Sequence, residues 1–101
     1  MNVIWSPLAI ERVLEIAEYI ARDNSPAAQR WVEDTFDRVG QLEKFPDSGR
    51  HVPEDPARND LREIIHGNYR IIYRVRPKGV DILTVRHGRQ MLPLEEIEED
   101  H

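Results

Sequence analysis

The sequence contains no cysteine. Disulfide cross-links, thiolate metal sites and cysteine-based redox or nucleophilic chemistry are therefore excluded. Long apolar runs are also missing, so no helix is expected to span a membrane. Met1 to Pro7 has no basic region followed by an apolar stretch, so no secretory signal is expected and the cytoplasm is the expected location. There is no Gly-x-Gly-x-x-Gly and no P-loop, which removes the usual nucleotide cradles. His51, His66, His87 and His101 show no i,i+2 or i,i+4 spacing with one another, and no His-Glu-x-x-His occurs. No metal and no cofactor is expected. Ser6, Ser25 and Ser48 read as cap or turn residues, which leaves a Ser-His-Asp site without support. Carboxylates such as Glu11 and Glu15 sit at i,i+4 on a solvated helix face rather than as an acid–base dyad.

What remains is a chain of 101 residues, 40% hydrophobic and 33% charged, which suits one globular domain able to bury its own core. The net charge of −5 hides a pattern. Residues 1–60 carry 7 basic and 12 acidic side chains, residues 61–91 carry 7 basic and 2 acidic, and residues 92–101 carry 5 acidic and no basic ones. A basic segment thus lies between acidic ones. Such asymmetry marks either a surface for an acidic partner or polyanion, or a sheet face balanced by the rest of the fold.

Val3-Ile4-Trp5 predicts an opening strand. Ser6-Pro7 predicts a helix start, because serine caps free N–H groups and proline suits the first helical position. Ile10, Val13, Leu14, Ala17, Ile20 and Ala21 then form an apolar stripe, with the helix ending near Asp23-Asn24. Ser25-Pro26 repeats the start signal for a second stripe: Ala28, Trp31, Val32, Thr35, Phe36, Val39, Leu42 and Phe45. The short junction predicts an antiparallel helical hairpin. Residues 46–60, with Pro46, Gly49, Pro53 and Pro56, predict a long irregular connection of the kind that is often functional or mobile. Strands are then expected over Leu61–His66, Tyr69–Arg76 and Val80–Arg86, with turns at His66-Gly67-Asn68 and Pro77-Lys78-Gly79. In the middle strand Tyr69, Ile71, Tyr73 and Val75 should face the helices, leaving Arg70, Arg74 and Arg76 on the other face. The last strand is apolar on both faces and should be central or covered. The expected fold is α+β, in the order β-α-α-β-β-β, with the hairpin packed on one face of a small, mostly antiparallel sheet. The domain should span residues 1–91. Residues 92–101 read as an acidic C-terminal tail, either a frayed helix or disordered.

Arg62, Arg70, Arg74, Arg76, Arg86 and Arg89 lie on adjacent strands or just beyond them. Guanidinium groups concentrated this way can grip phosphates or carboxylates. His87 beside Arg89 adds a proton carrier to a phosphate clamp, the ingredients of metal-free RNA cleavage. The same residues could equally hold an acidic partner segment or keep an exposed sheet soluble; spacing alone does not choose.

The run Leu61 to Val75, with His66-Gly67-Asn68-Tyr69-Arg70 at its centre, and the run Val80 to Arg89 resemble toxins of the RelE/ParE superfamily, from type II toxin–antitoxin modules also called plasmid stabilisation proteins. Trp5-Ser6-Pro7-Leu8-Ala9, Tyr19 to Pro26 and Phe45-Pro46-Asp47-Ser48-Gly49-Arg50 resemble the ParE branch in particular. The resemblance covers nearly the whole chain and implies a helical hairpin against a curved antiparallel sheet. It also implies one of two growth-inhibiting activities: ribosome-dependent mRNA cleavage in RelE-like members, or inhibition of DNA gyrase in ParE-like ones. In the ribonucleases the arginines matching Arg70 and Arg89 are functional. Lysines on the preceding strand are replaced here by Leu61 and Glu63, and no tyrosine follows Tyr73. Those losses remove cations and a candidate base, which favours a gyrase inhibitor with no catalytic residues. If the chain were a ribonuclease, Arg70, His87 and Arg89 would carry the reaction. A third possibility is an antitoxin-binding co-repressor that is no longer toxic. The implied partner is a cognate antitoxin with an acidic, amphipathic wrapping segment, and Arg62, Arg70, Arg74, Arg76, Arg86 and Arg89 are expected to bind either that antitoxin or the target. Direct sequence-specific DNA binding is not expected.

Overall fold

Ser6 ties the first two elements to the last strand of the sheet. The computed structural model describes residues 2–97, and in it β1 (Asn2–Trp5) runs directly into α1 (Pro7–Ala21). The Ser6 hydroxyl accepts from the Ala9 N–H at 3.0 Å, capping the helix, and donates to the Leu83 carbonyl at 2.9 Å. The second helix, α2 (Ser25–Gly40), is capped one residue earlier than Ser25-Pro26 suggests. The Asn24 side chain accepts from the Ala27 N–H at 3.0 Å, and Ser25 and Pro26 form the first turn. A single 3-10 turn, Gln41–Glu43, continues it.

The strands are β2 (Arg50–His51), β3 (Leu61–His66), β4 (Tyr69–Arg76) and β5 (Gly79–His87). They form one sheet in the order β1-β5-β4-β3-β2, antiparallel except for the parallel β1–β5 pair. This is the expected α+β architecture with one short strand added. β2 lies inside the 46–60 connection and pairs only Arg50 with Glu63 and His51 with Arg62. Two paired residues beside Gly49 and Pro53 leave no periodic signal in a sequence. Gly67 turns β3 into β4 at φ +59, a left-handed conformation that glycine adopts without steric cost.

The core between helices and sheet contains Ala9, Val13, Val39, Leu42, Ile71, Tyr73, Val80, Ile82 and Val85. A bulge makes the last two possible. Ile72 is opposite Thr84 but Tyr73 is opposite Ile82, so Leu83 is the extra residue in β5. Ile82 and Val85 thereby face the same side despite their odd spacing, while Leu83 packs on the opposite face. On α1 the sheet-facing line is Ala9, Val13 and Ile16, and Ile10 and Leu14, included in the predicted stripe, are exposed. The apolar arc of this helix is wider than the strip one sheet can cover. Phe45 is exposed too, because the helix stops before the stripe reaches it.

A second core lies behind the sheet and contains Val52, Leu61, Ile72, Leu92 and Ile97, with Leu83 against it. Residues 92–97, read from the sequence as the start of a frayed or disordered tail, are packed here. Their 3-10 turn, Leu94–Glu96, holds Ile97 at 2% exposure. Covering Ile72 and Leu61 requires apolar side chains from outside the strands, and Val52, Leu92 and Ile97 supply them. The rest of the tail, residues 98–101 including His101, lies outside the described residues. Tyr73 fastens the long connection: its hydroxyl donates to the Pro46 carbonyl at 2.8 Å and accepts from the Gly49 N–H at 2.9 Å. A Cβ on Gly49 would come within 2.6 Å of that hydroxyl and of the Glu63 carbonyl, so only glycine fits.

Candidate functional site

The sequence leaves the rear face of the sheet either as an arginine surface for a partner or as a face balanced by the rest of the fold. It is largely closed by carboxylates from the same chain. In β4, Arg70 is 4% exposed and Arg74 is 8% exposed. Long charged side chains reach such burial only with partners that replace their water.

Arg70 has the densest set of partners. Its guanidinium donates to the Glu63 carboxylate (Nε–Oε1 2.8 Å), to both Glu54 oxygens (2.9 and 2.7 Å) and to the Gln90 carbonyl (3.1 Å). Glu63, itself fully buried, also accepts from Arg50 at 2.7 Å. Glu54 also accepts from the Leu92 N–H at 2.9 Å. The Arg70 hydrogen bond pulls the Glu54 pKa down to about 2, against a smaller opposing effect of burial. The same contacts raise the pKa of Arg70. One cluster therefore joins the 46–60 connection, β3, β4 and the start of the C-terminal segment.

Asp81 of β5 serves the other end of β4. It accepts from Arg74 at 2.7 Å and from Arg76. Burial alone would raise its pKa, but these two guanidinium groups outweigh burial and hold it below the ordinary value. Arg62 donates to the backbone carbonyls of Gly49 (2.9 Å) and Asp47 (3.3 Å). Arg86 reaches Glu96 at 2.5 Å, and Glu96 also accepts from Arg12 at 3.1 Å and from the Thr84 hydroxyl at 2.7 Å. Of the six arginines singled out from the sequence, Arg76 and Arg89 are the exposed ones.

The residues of a hypothetical ribonuclease centre are not gathered in one place. Arg70 and Arg89 line one cavity of about 330 Å³, together with Arg50, Glu54 and Met91. His87 lines a different cavity of about 370 Å³, between α1 and the end of β5. There its ring meets Tyr69 edge-on at 5.6 Å, and its Nδ1 accepts from the Arg89 N–H at 3.2 Å. That bond places the proton of the neutral ring on Nε2. Among the described residues no cluster of three or more histidines and carboxylates could hold a metal ion. No helix among them is long and apolar enough to cross a membrane.

Sequence reasoning missed Glu54, Glu63, Asp81 and Glu96 as partners of the arginines. The one signal was global: the basic segment is flanked by acidic segments, and two of these four carboxylates come from those flanks.

Comparison with known proteins agrees with this architecture. Residues 3–92 match the family model described as the ParE toxin of the type II toxin–antitoxin system parDE. A protein of Sinorhizobium fredii (strain NBRC 101917 / NGR234), named "Putative toxin Y4kP", is 37% identical over 95 residues, covering 91% of this chain and 93% of its own. The solved structure described as the chromosomal ParDE TA system from P. aeruginosa superposes with a TM-score of 0.72 at 20% identity, covering 86% of this chain and 95% of the other. At that identity the superposition shows the fold, and the family match extends over nearly the whole chain. The protein belongs to the ParE toxin family of type II toxin–antitoxin systems.

Proposed function

We propose that the protein inhibits growth by binding DNA gyrase, without catalysis of its own, and that a cognate antitoxin neutralises it in the cytoplasm. The observation that carries this reading is the Arg70 cluster. In the ribonucleases that the sequence resembles, the matching arginine is functional and lysines precede it on the neighbouring strand. Here one of those lysine positions is Glu63, whose carboxylate sits on Arg70 at 2.6 Å, and Glu54 holds the other side of the guanidinium. A guanidinium already neutralised by two carboxylates has little left to offer a phosphorane-like transition state.

The antitoxin is expected to use what its partner leaves accessible. Ile10 and Leu14, one turn apart on α1, are exposed apolar side chains outside the core and can seat an amphipathic segment. Arg76 and Arg89, at the two ends of the rear face, are placed to meet its acidic residues. Arg70, Arg74 and Arg86, offered from the sequence as contact residues, would contribute mainly by shaping that face, since each is both shielded from solvent and engaged within the chain, whereas Arg76 also holds Asp81 but stays half exposed.

The test is a cleavage-complex assay with gyrase, supercoiled DNA and the purified protein. Linear DNA that accumulates with the protein and disappears when antitoxin is added is the expected result. Gyrase that is unaffected while ribosome-bound mRNA is cut would overturn the reading.

A further inference from the structure

We propose that Arg12, Thr84 and Arg86 form a phosphate-binding site that the chain's own Glu96 occupies in this structure. Three donors from two distant elements converge on one carboxylate: Arg12 of α1 at 3.1 Å, and Thr84 and Arg86 of β5 at 2.7 and 2.5 Å. Two guanidinium groups and a hydroxyl are a donor set well matched to a phosphate, which accepts through several oxygens in three dimensions.

The donors also outnumber what the carboxylate takes. Among the described residues, the Nε–H groups of both Arg12 and Arg86 are buried without a hydrogen-bond partner. Buried unsatisfied donors are uncommon and costly, and a phosphate offers more acceptor oxygens to such a donor set than one carboxylate does. Burial would raise the pKa of Glu96, but Thr84, Arg86 and Arg12 together outweigh it and hold the carboxyl below its ordinary value. Its segment is a three-residue 3-10 turn rather than part of the sheet. Lifting that turn uncovers Leu92 and Ile97 but breaks no strand pairing. A second carboxylate, Glu15, contacts Arg12 at 3.1 Å from an exposed position and leaves Arg86 untouched.

Beside these donors is room for the rest of a ligand. The cavity of about 370 Å³ between α1 and the end of β5 is lined by Arg12 and Arg86 and also by Tyr19, Tyr69, His87 and Gln90. β1 pairs with β5 only as far as Ile82, so the cavity lies along the stretch of β5 that this strand leaves uncovered. Phenol and imidazole rings next to a phosphate clamp suit a nucleotide, either free or within a nucleic-acid strand. The cavity adjoins the Arg70 and Arg89 cavity at Gln90, which lines both, but its phosphate donors are different residues, and the site stands whether or not gyrase is the target.

The test is calorimetric titration of the full chain, at fixed ionic strength, with inorganic phosphate, adenosine 5′-monophosphate and a short single-stranded oligodeoxythymidine. Glu96→Gln removes the internal competitor's charge and is expected to tighten phosphate binding about tenfold, since the competent state no longer has to be freed first. Adding Arg86→Gln should abolish that gain, and Glu95→Gln, an exposed neighbour, should leave the wild-type affinity unchanged. The nucleotide should bind tighter than inorganic phosphate, and Tyr69→Leu should remove only that excess. Preference for the monophosphate identifies a free nucleotide as the source, and preference for the oligonucleotide identifies a strand; both uphold the site. If Glu96→Gln lost its folded circular dichroism spectrum, Glu96→Asp, with its carboxylate withdrawn by one methylene, should still bind phosphate tighter than wild type. Phosphate binding that is no tighter in the folded Glu96 variant, or that survives Arg86→Gln, would overturn the proposal, as would failure of all three probes to bind.

Discussion

Arg70 of β4 and Glu63 of β3 face each other diagonally across two strands, 2.6 Å apart, with Glu63 entirely removed from solvent. A charge pair in that position is poor evidence of added stability, because desolvation offsets much of the attraction. The pair commits the guanidinium to the fold, and through Glu54 it draws the 46–60 connection and the Leu92 backbone onto the sheet.

Breaking one side of the pair should therefore be far worse than removing both. Arg70→Met leaves Glu63 and Glu54 facing each other without their shared cation and is expected to cost about 3–5 kcal/mol. Arg70→Met combined with Glu63→Leu should recover a large part of that loss. Urea unfolding of the singles and the double checks this. Strictly additive losses would show that the two side chains do not act as a pair.

Tyr73→Phe removes one hydroxyl that serves two backbone groups. The Gly49 N–H loses its acceptor and the Pro46 carbonyl its donor, at an expected cost of about 1–3 kcal/mol. Amide hydrogen exchange should accelerate around residues 46–50 before it does so in β4. Uniform acceleration across the sheet would place the effect elsewhere.

Acid should destabilise the protein in two stages. Burial is the main cause holding His66 below its ordinary pKa, with Arg38 adding repulsion and Asp34 only partly compensating. A folded pKa below the unfolded one means stability that is complete above about pH 6.5 and declines as pH falls. Glu54, at about 2 when folded, adds stability that is complete above its ordinary value and is lost as pH falls toward 2. Glu54→Gln should shrink the lower stage, to which Asp81 and Glu96, also held below their ordinary values, contribute as well, in melting temperatures measured against pH, and His66→Phe should flatten the upper stage.

The exposed face of α1 gives a test of partner binding that leaves the fold intact. Ile10→Ser with Leu14→Ser should alter stability by only about 0.5 kcal/mol, because neither belongs to the core. Antitoxin affinity should fall by about a hundredfold if these two anchor its apolar residues. Unchanged affinity by calorimetry would move the docking surface away from this helix.

Much of the fold was legible because local geometry writes itself into the sequence. Ser6-Pro7, the helical stripes and the alternation from Tyr69 to Val75 each depend on a few neighbouring residues. The bulge at Leu83 was not legible, since a two-sided apolar strand carries no parity to break. Nor was the two-residue strand β2. Burial of Leu92 and Ile97 was hidden because two apolar residues among glutamates look like a solvated end until the uncovered rear face is seen.

By itself the sequence determined the helical hairpin, the three long strands, the ParE likeness and the concentration of arginines on them. Those properties follow from residue periodicity, capping chemistry and composition, all of which act over short distances along the chain. Only the tertiary structure decided that Arg70 belongs to Glu63 and Glu54, Arg74 to Asp81, and Arg86 to Glu96. Each pairing depends on strand register or on the path of a loop across the sheet. Whether a guanidinium is an open ligand site or an occupied one depends on which distant carboxylate the fold brings within 3 Å.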